Sequence, residues 1–311
     1  MPNWVDVLKQ IDTFKTQHAA ASQQAIDLVR RSYLNKLFEL EKRNIIAYYS
    51  GFLSKPAIAQ SDINDEDKNG FMMAVHNLDR SKGLDLILHT PGGGFAATES
   101  LVDYLRKMFG TDIRCIVPQI AMSAGTIIAC SCKEIWMAKH SNLGPIDPQL
   151  SGLPARGVVE EFKRALDEIK KDPDSLAIWR PIIGQYRPTF LNQCENAIAW
   201  SEEFVREQLE RVMFKGLRGA KKRAQKVVSA LSDFKENKAH SRHINFEQCK
   251  KLGLKVQLIE SRQEFQDLVL TVHHCYMHSL MNTSAFKIIE NHLGSAFVKQ
   301  QRVEQRVVPV N

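Results

Sequence analysis

The sequence predicts an α/β fold built from βαβ units with helices packed outside, and three observations carry that expectation. Residues 84–88 (Leu-Asp-Leu-Ile-Leu) and 113–117 (Ile-Arg-Cys-Ile-Val) are apolar runs of strand length. After each comes a turn rich in small residues, Thr90-Pro91-Gly92-Gly93-Gly94 and Met122-Ser123-Ala124-Gly125-Thr126. Each turn opens a stretch with helical apolar spacing. Strand, turn, helix, strand, turn is a βαβ unit, whose parallel strands bring both turns to one edge of the sheet. Proteins of this class bind their ligands at that edge.

Taken in order, residues 4–42 place Trp4, Val5, Leu8 and Ile11, then Ile26, Val29, Tyr33, Leu37 and Leu40, at helical spacing. Two helices are expected there, packed on the main domain or on a partner subunit. Residues 44–49 read as the first strand, closed by Ser50-Gly51. Residues 61–65 offer N-caps for a helix through Phe71, Met72, Val75 and Leu78. The helix 96–109 sets Leu101, Tyr104, Leu105 and Met108 on one face. The helix 124–132 is almost wholly apolar, and so should be buried. A third strand follows at 134–138, then a loop at 143–149 with two prolines. From Gly157 the pattern is mainly helical (158–171, 197–214, 217–231), broken once at Asp172-Pro173-Asp174. A helix at 246–252 and a strand at 255–259 precede a last helical region, 263–298. The expected organisation is an N-terminal helical region (1–43), a main domain (44–260) with a helical insertion at about 157–232, and a C-terminal helical tail (261–311).

The chain has 311 residues, 44% apolar and 25% charged, ordinary values for a globular protein with ample core. Its formal charge of +7 is uneven. Residues 215–255 hold twelve Lys/Arg against three Asp/Glu, a local +9, which leaves −2 for the rest. Such a segment reads as a solvated helical face or as a surface for an acidic partner, nucleic acid or anionic lipid. Six cysteines without paired zinc-type spacing read as reduced thiols. The polar, amphipathic start is unlike a signal peptide, and no apolar run approaches the roughly 20 residues of a membrane span. A cytoplasmic location is expected. His274 and His278 are spaced i, i+4 beside His273, yet no carboxylate completes a metal motif, so no metal is predicted. His240 and His243 have no evident partner in the sequence. Trp136 and Trp179 read as core or interface. No G-x-G-x-x-G fingerprint is present, and no cofactor is expected.

The two turns carry the chemistry. A serine hydroxyl is a poor nucleophile until a base takes its proton and donors hold the oxyanion that forms. Ser123 lies at the mouth of a buried helix, whose N-terminus favours developing negative charge. The Ala124 N–H would face the same space, and Gly92, having no Cβ, can bring a second N–H close. The same residues would also serve a plain βα connection with a capping serine. Ala121-x-Ser123-x-Gly125 lacks the first glycine of the G-x-S-x-G elbow.

Thr90-Pro91-Gly92-Gly93 followed about thirty residues later by Met122-Ser123-Ala124-Gly125 resembles the serine-peptidase branch of the ClpP/crotonase superfamily. Tyr48-Tyr49-Ser50-Gly51, Asp79-Arg80-Ser81-Lys82-Gly83 and Gly144-Pro145-Ile146-Asp147-Pro148-Gln149 are similar to the serine dehydrogenase proteinases, relatives of signal peptide peptidase A. The likeness runs from about residue 44 to 258. It implies a ClpP/crotonase-like core and a serine peptidase that forms an acyl-enzyme on peptide or protein substrates. Ser123 would be the nucleophile, Gly92 and Ala124 the oxyanion-hole amides, and Gly93 and Gly94 contacts to substrate. The position of the ClpP histidine is filled by Asp147. The resemblance therefore implies a Ser-Lys dyad, with Lys163, 40 residues after Ser123, as base and Lys170, Lys171 or His140 as substitutes; His89 is a further rival. A lysine acts as base only where burial lowers its pKa. The likeness also implies a homo-oligomer, and no dehydrogenase activity follows from the family's name. Two other readings share the fold: a crotonase-type enzyme acting on acyl-coenzyme A thioesters, and a non-catalytic scaffold that binds a partner through residues 215–255.

Overall fold

The computed structural model describes residues 4–18, 24–233 and 239–301. Twelve strands are seen among these residues: β1 (Asn44–Ser50), β2 (Leu84–His89), β3 (Ile113–Val117), β4 (Ile120–Ala121), β5 (Glu134–Met137), β6 (Asn142–Leu143), β7 (Gln149–Leu150), β8 (Leu153–Pro154), β9 (Ile244–Asn245), β10 (Val256–Leu258), β11 (Ala285–Asn291) and β12 (Ala296–Gln300). Seven form the central sheet in the order β10-β5-β3-β2-β1-β11-β12. β10, β5, β3, β2 and β1 are mutually parallel, in register Asn44 to Leu84 and Leu84 to Ile113. β11 and β12 form an antiparallel hairpin added beside β1. The expected α/β class and its βαβ units are present.

Helices cover both faces, because successive strand residues point to opposite sides. Ile46 and Tyr48 of β1, Leu84, Leu86 and Leu88 of β2, and Cys115 and Val117 of β3 share one core. That core includes side chains of α3 (Asp67–Val75), α4 (Phe95–Phe109), α5 (Ala124–Cys130) and α9 (Ala220–Ser232). The intervening residues Ile45, Ala47, Tyr49, Ile87 and Ile116 share the other, with α1 (Trp4–Gln17), α2 (Ala25–Glu41) and α11 (Gln263–Asn282). The N-terminal helices are thus spent on this chain's own sheet, through Val7, Ile11, Val29, Leu34 and Leu37. A smaller third cluster joins α6 (Ala155–Lys171) to α8 (Phe190–Gln208), with α7 (Leu176–Ile183) between them and α10 (Phe246–Leu252) elsewhere, ahead of β10.

The helical region expected over 263–298 stops at Asn282, and the residues beyond it make β11 and β12. Ala285, Ile288 and Ile289 fit a helical spacing, while Lys287 and Glu290 disguise a fully buried strand. Both charges are matched by distant partners. Lys287 Nζ lies 2.8 Å from Asp67 Oδ1, and Arg30 Nε lies 2.7 Å from Glu290 Oε2. In the basic stretch, α9 buries Ala224, Val227, Val228 and Leu231 and exposes Lys221, Lys222, Arg223 and Lys226, a solvated amphipathic face. All six cysteines are buried free thiols. Among the described residues, no helix is long and apolar enough to cross a membrane.

Candidate active site

The two turns are stitched together by backbone. Thr90 and Ala121 form a parallel bridge; the Thr90 N–H donates to the Ile120 carbonyl (3.1 Å) and the Met122 N–H to the Thr90 carbonyl (3.1 Å). Ser123 then caps α5 at φ 50° and ψ −114°, a backbone conformation that costs a side-chain-bearing residue about 1–3 kcal/mol. Its neighbours hold it there. The Gly125 N–H donates to the Met122 carbonyl (2.7 Å), and Thr126 Oγ1 donates to the Ala121 carbonyl (2.9 Å) while accepting the Gly144 N–H (2.9 Å). A strained strand-to-helix turn of this kind presents a serine Oγ at the edge of a sheet.

The glycine turn approaches as closely as backbone allows. A Cβ on Gly92, at φ +107°, would lie 2.7 Å from the Ser123 Cβ and 2.9 Å from the Met122 carbonyl oxygen. A Cβ on Gly93 would lie 2.3 Å from both the nitrogen and the oxygen of Ile63. Ile63 braces the turn, its N–H donating to the Gly92 carbonyl (2.7 Å) and its carbonyl accepting the Gly94 N–H (2.8 Å). The Gly92 N–H donates to Thr90 Oγ1 (3.2 Å). The N–H groups of Gly93 and Ala124 have no acceptor among the described residues.

These groups border a cavity of about 440 Å³, walled by Phe95, Ile127, Ile146, Leu150 and Trp200, with Asp147 and His240 on its rim. Asp147 is buried. Its Oδ1 lies 2.9 Å from His240 Nδ1, and its Oδ2 accepts from Gln149 Nε2 (3.1 Å). The surrounding loop is fixed on three sides: the Ile146 N–H donates to the Leu231 carbonyl (3.0 Å), Ser201 Oγ to the Ile146 carbonyl (3.2 Å), and the Ala155 N–H to the Pro148 carbonyl (2.9 Å).

Ser123, Gly92, Gly93, Gly94 and Ala124 are therefore brought together, and the lysines are not. Lys163 is exposed on α6 and lines a separate groove with Glu160, Glu161, Asp167 and Lys171. The buried stripe of that helix is Ala155, Val158, Val159 and Ala165, and it turns Lys163 and Lys170 outward. His140 is exposed and is not part of the cavity wall. His89 is buried beside Tyr49, Phe52 and His273, and its ring nitrogens have no hydrogen-bond partner among the described residues. Burial pulls its pKa down to about 3, so it is a poor proton acceptor. His278 Nε2 meets the Trp4 carbonyl (3.1 Å), and among the described residues no His, Cys, Asp and Glu cluster could hold a metal. Trp136 packs on Phe265, and Trp179 Nε1 donates to Glu168 Oε2 (2.9 Å). The pairing of His240 with Asp147 escapes the sequence, since 93 residues separate the partners and no local pattern links them.

Two proteins of Methanocaldococcus jannaschii are similar to this chain, both uncharacterized. MJ0137 is 34% identical over 136 residues, 44% of this chain and 45% of the relative. MJ1495 is 28% identical over 208 residues, 67% of this chain and 63% of the relative. The chain thus spans between about half and two thirds of the length of these relatives. The family model of the ClpP-like SDH-type serine proteinases matches residues 19–289, and the chain belongs to that family.

Proposed function

We propose that this protein is a serine peptidase in which Ser123 attacks the carbonyl carbon of a peptide bond. The Oγ–C bond forms, the proton leaves through a base, and the C–N bond breaks with a proton delivered to the departing amine. Water then hydrolyses the acyl-enzyme and restores the serine. The carrying observation is the strained Ser123 turn, pressed against a glycine turn whose neighbouring Gly93 and Ala124 N–H groups are free to donate. Those two amides are our oxyanion hole, each worth about 3 kcal/mol of transition-state stabilisation. Gly92 is the less suitable donor, because its N–H already serves Thr90. Membership of a serine-proteinase family supports a peptidase-type function. The apolar wall of Phe95, Ile127, Leu150 and Trp200 suits a peptide with an apolar side chain next to the scissile bond.

A Ser-Lys dyad would require Lys163 to leave the acidic groove on α6 and enter a cavity it does not line. Intact-mass analysis after fluorophosphonate treatment tests the nucleophile. One adduct on wild type that is absent from Ser123→Ala is expected. An adduct that persists in Ser123→Ala, or no adduct on wild type, would reject the reading.

A further inference from the structure

Of the basic stretch 215–255, only His240 lines the Ser123 cavity among the described residues; the rest is gathered on a separate surface. α9 and α10 pack against each other, and a groove of about 360 Å³ lies where they meet. Ala230, Ile244 and Leu252 make its apolar floor, while Lys226, Arg242 and Lys251 stand at its more exposed border. No carboxylate lines the groove among the described residues. Lys226 and Lys251 are exposed and make no ion pair among the described residues, and the same two helices expose Lys222, Arg223 and Lys250. Cations so gathered repel one another, and an anionic partner relieves that repulsion. The groove also adjoins the cavity, through two links. Ile146 of the cavity wall donates its N–H to the Leu231 carbonyl, and Leu231 follows Ala230 of the groove floor. His240 on the cavity rim is two residues from Arg242, no more than about 8 Å of chain.

We infer that the groove between α9 and α10 is a secondary substrate site, which holds an acidic segment of the polypeptide being cut. The inference rests on the reading of this chain as a peptidase acting at Ser123. An extended peptide turns alternate side chains to opposite sides, so one stretch can offer carboxylates to Lys226 and Lys251 and an apolar side chain to Ile244 and Leu252. A nucleic-acid backbone would satisfy the lysines and leave the apolar floor unused. The floor and the adjoining cavity therefore favour a polypeptide. The substrate class is a protein with Asp and Glu near an apolar residue at the scissile bond. Its acidic segment is drawn to the basic face and docks there, which raises the local concentration of the neighbouring bond at Ser123. This use of the face adds selectivity and leaves the chemistry at the serine unchanged.

The test has a binding arm and a cleavage arm, both on the full chain. In the first, fluorescence anisotropy follows labelled hexaglutamate on the Ser123→Ala protein, which keeps the groove and cannot form an acyl-enzyme. Affinity should fall as salt rises from low to physiological. It should fall about tenfold or more when Lys226→Glu and Lys251→Glu are added, and by less with Lys226→Gln and Lys251→Gln. Lys9→Glu with Lys36→Glu, the same charge change on the opposite face of the sheet, should leave it unaltered. In the second arm, a proteome-derived peptide library is cut and the sites are read by mass spectrometry. Wild-type sites should be enriched in Asp and Glu near the scissile bond, and the enrichment should vanish in Lys226→Glu/Lys251→Glu. Unchanged hexaglutamate affinity in that variant, or equal loss in the control pair, would overturn the inference. So would a short DNA duplex that binds more tightly than hexaglutamate and is lost in the same variant, since the face would then be a nucleic-acid surface. Binding without acidic preference in the cleavage sites would overturn the substrate role. A wild type that cuts nothing and takes no fluorophosphonate would overturn the peptidase reading and this role with it, an outcome distinguishable because the binding arm needs no catalysis.

Discussion

Ser123 and Gly92 depend on each other at the level of single atoms. The serine holds a positive φ that its own side chain disfavours, and the hypothetical Cβ of Gly92 would lie 2.7 Å from the serine Cβ. Gly92→Ala should therefore push Ser123 off its position, beyond the cost of placing alanine at φ +107°. We expect a loss of about 10²-fold in labelling rate, because errors near 1 Å at a reacting centre have effects of that order. An alanine variant that labels at the wild-type rate would contradict the close approach. His89 makes a separate prediction at this scale. With a folded-state pKa of about 3 against the ordinary 6.5, the unfolded chain binds the extra proton between those values. Stability is unaffected above about pH 6.5 and declines as the pH falls toward 3, by up to about 1.4 kcal/mol per pH unit for this group. Burial lowers His273 in the same direction. Urea unfolding of wild type and His89→Leu at pH 7 and pH 5 checks this: the drop between the two pH values should be smaller in the variant. An equal drop in both proteins would remove His89 as its source.

The glycine turn is held by elements far from it in sequence. Lys287 of β11 donates to both oxygens of Asp67 on α3 and to the Asp62 carbonyl (2.6 Å), next to the Ile63 that braces Gly92 and Gly94. Tyr48 of β1 adds its hydroxyl to the same carboxylate (2.8 Å). Lys287→Met would leave that carboxylate buried without its counter-ion, costing about 3–5 kcal/mol in denaturant unfolding. Lys287→Met combined with Asp67→Asn should recover part of the loss, because the orphaned charge is gone. A loss below about 1 kcal/mol in the single variant would mean the pair is not a brace. This arrangement also explains what could be read in advance. The βαβ stretch is legible because each strand, turn and helix is written in contiguous residues. β11 is not, since its charges find partners 220 and 260 residues away. The serine and glycine turns were visible for the same local reason that His240 and Asp147 were not. Lys163 is suggested by the resemblance and its spacing from Ser123, and only the apolar stripe of α6 shows which way that helix turns it.

Across the whole molecule, the floor and the outer wall of the cavity belong to parts of unequal cohesion. Ser123 and both turns stand at the edge of a sheet buried on its two faces, with β11 closing one side against β1. Part of the outer wall is Leu150 and Trp200, in a lobe whose fully buried cluster among the described residues is small, Ala155, Val158, Val159, Phe190 and Cys194, with Leu150 packed against it. That lobe leaves large apolar residues in solvent, with Leu166 59% and Ile178 66% exposed, and α7 carries Pro181 within its length. Little apolar burial and much exposed backbone give low local opening free energies. Hydrogen exchange read by mass spectrometry should therefore find α6 and α7 exchanging well before β1, β2 and β3, with α5 protected like the sheet. Opening of that kind would widen the cavity for a peptide while the Ser123 turn and its N–H donors stay in place, which keeps substrate access separate from catalytic geometry. Equal protection of α6, α7 and the sheet would make lobe and sheet one cooperative unit, and peptide would then have to enter past a rigid wall.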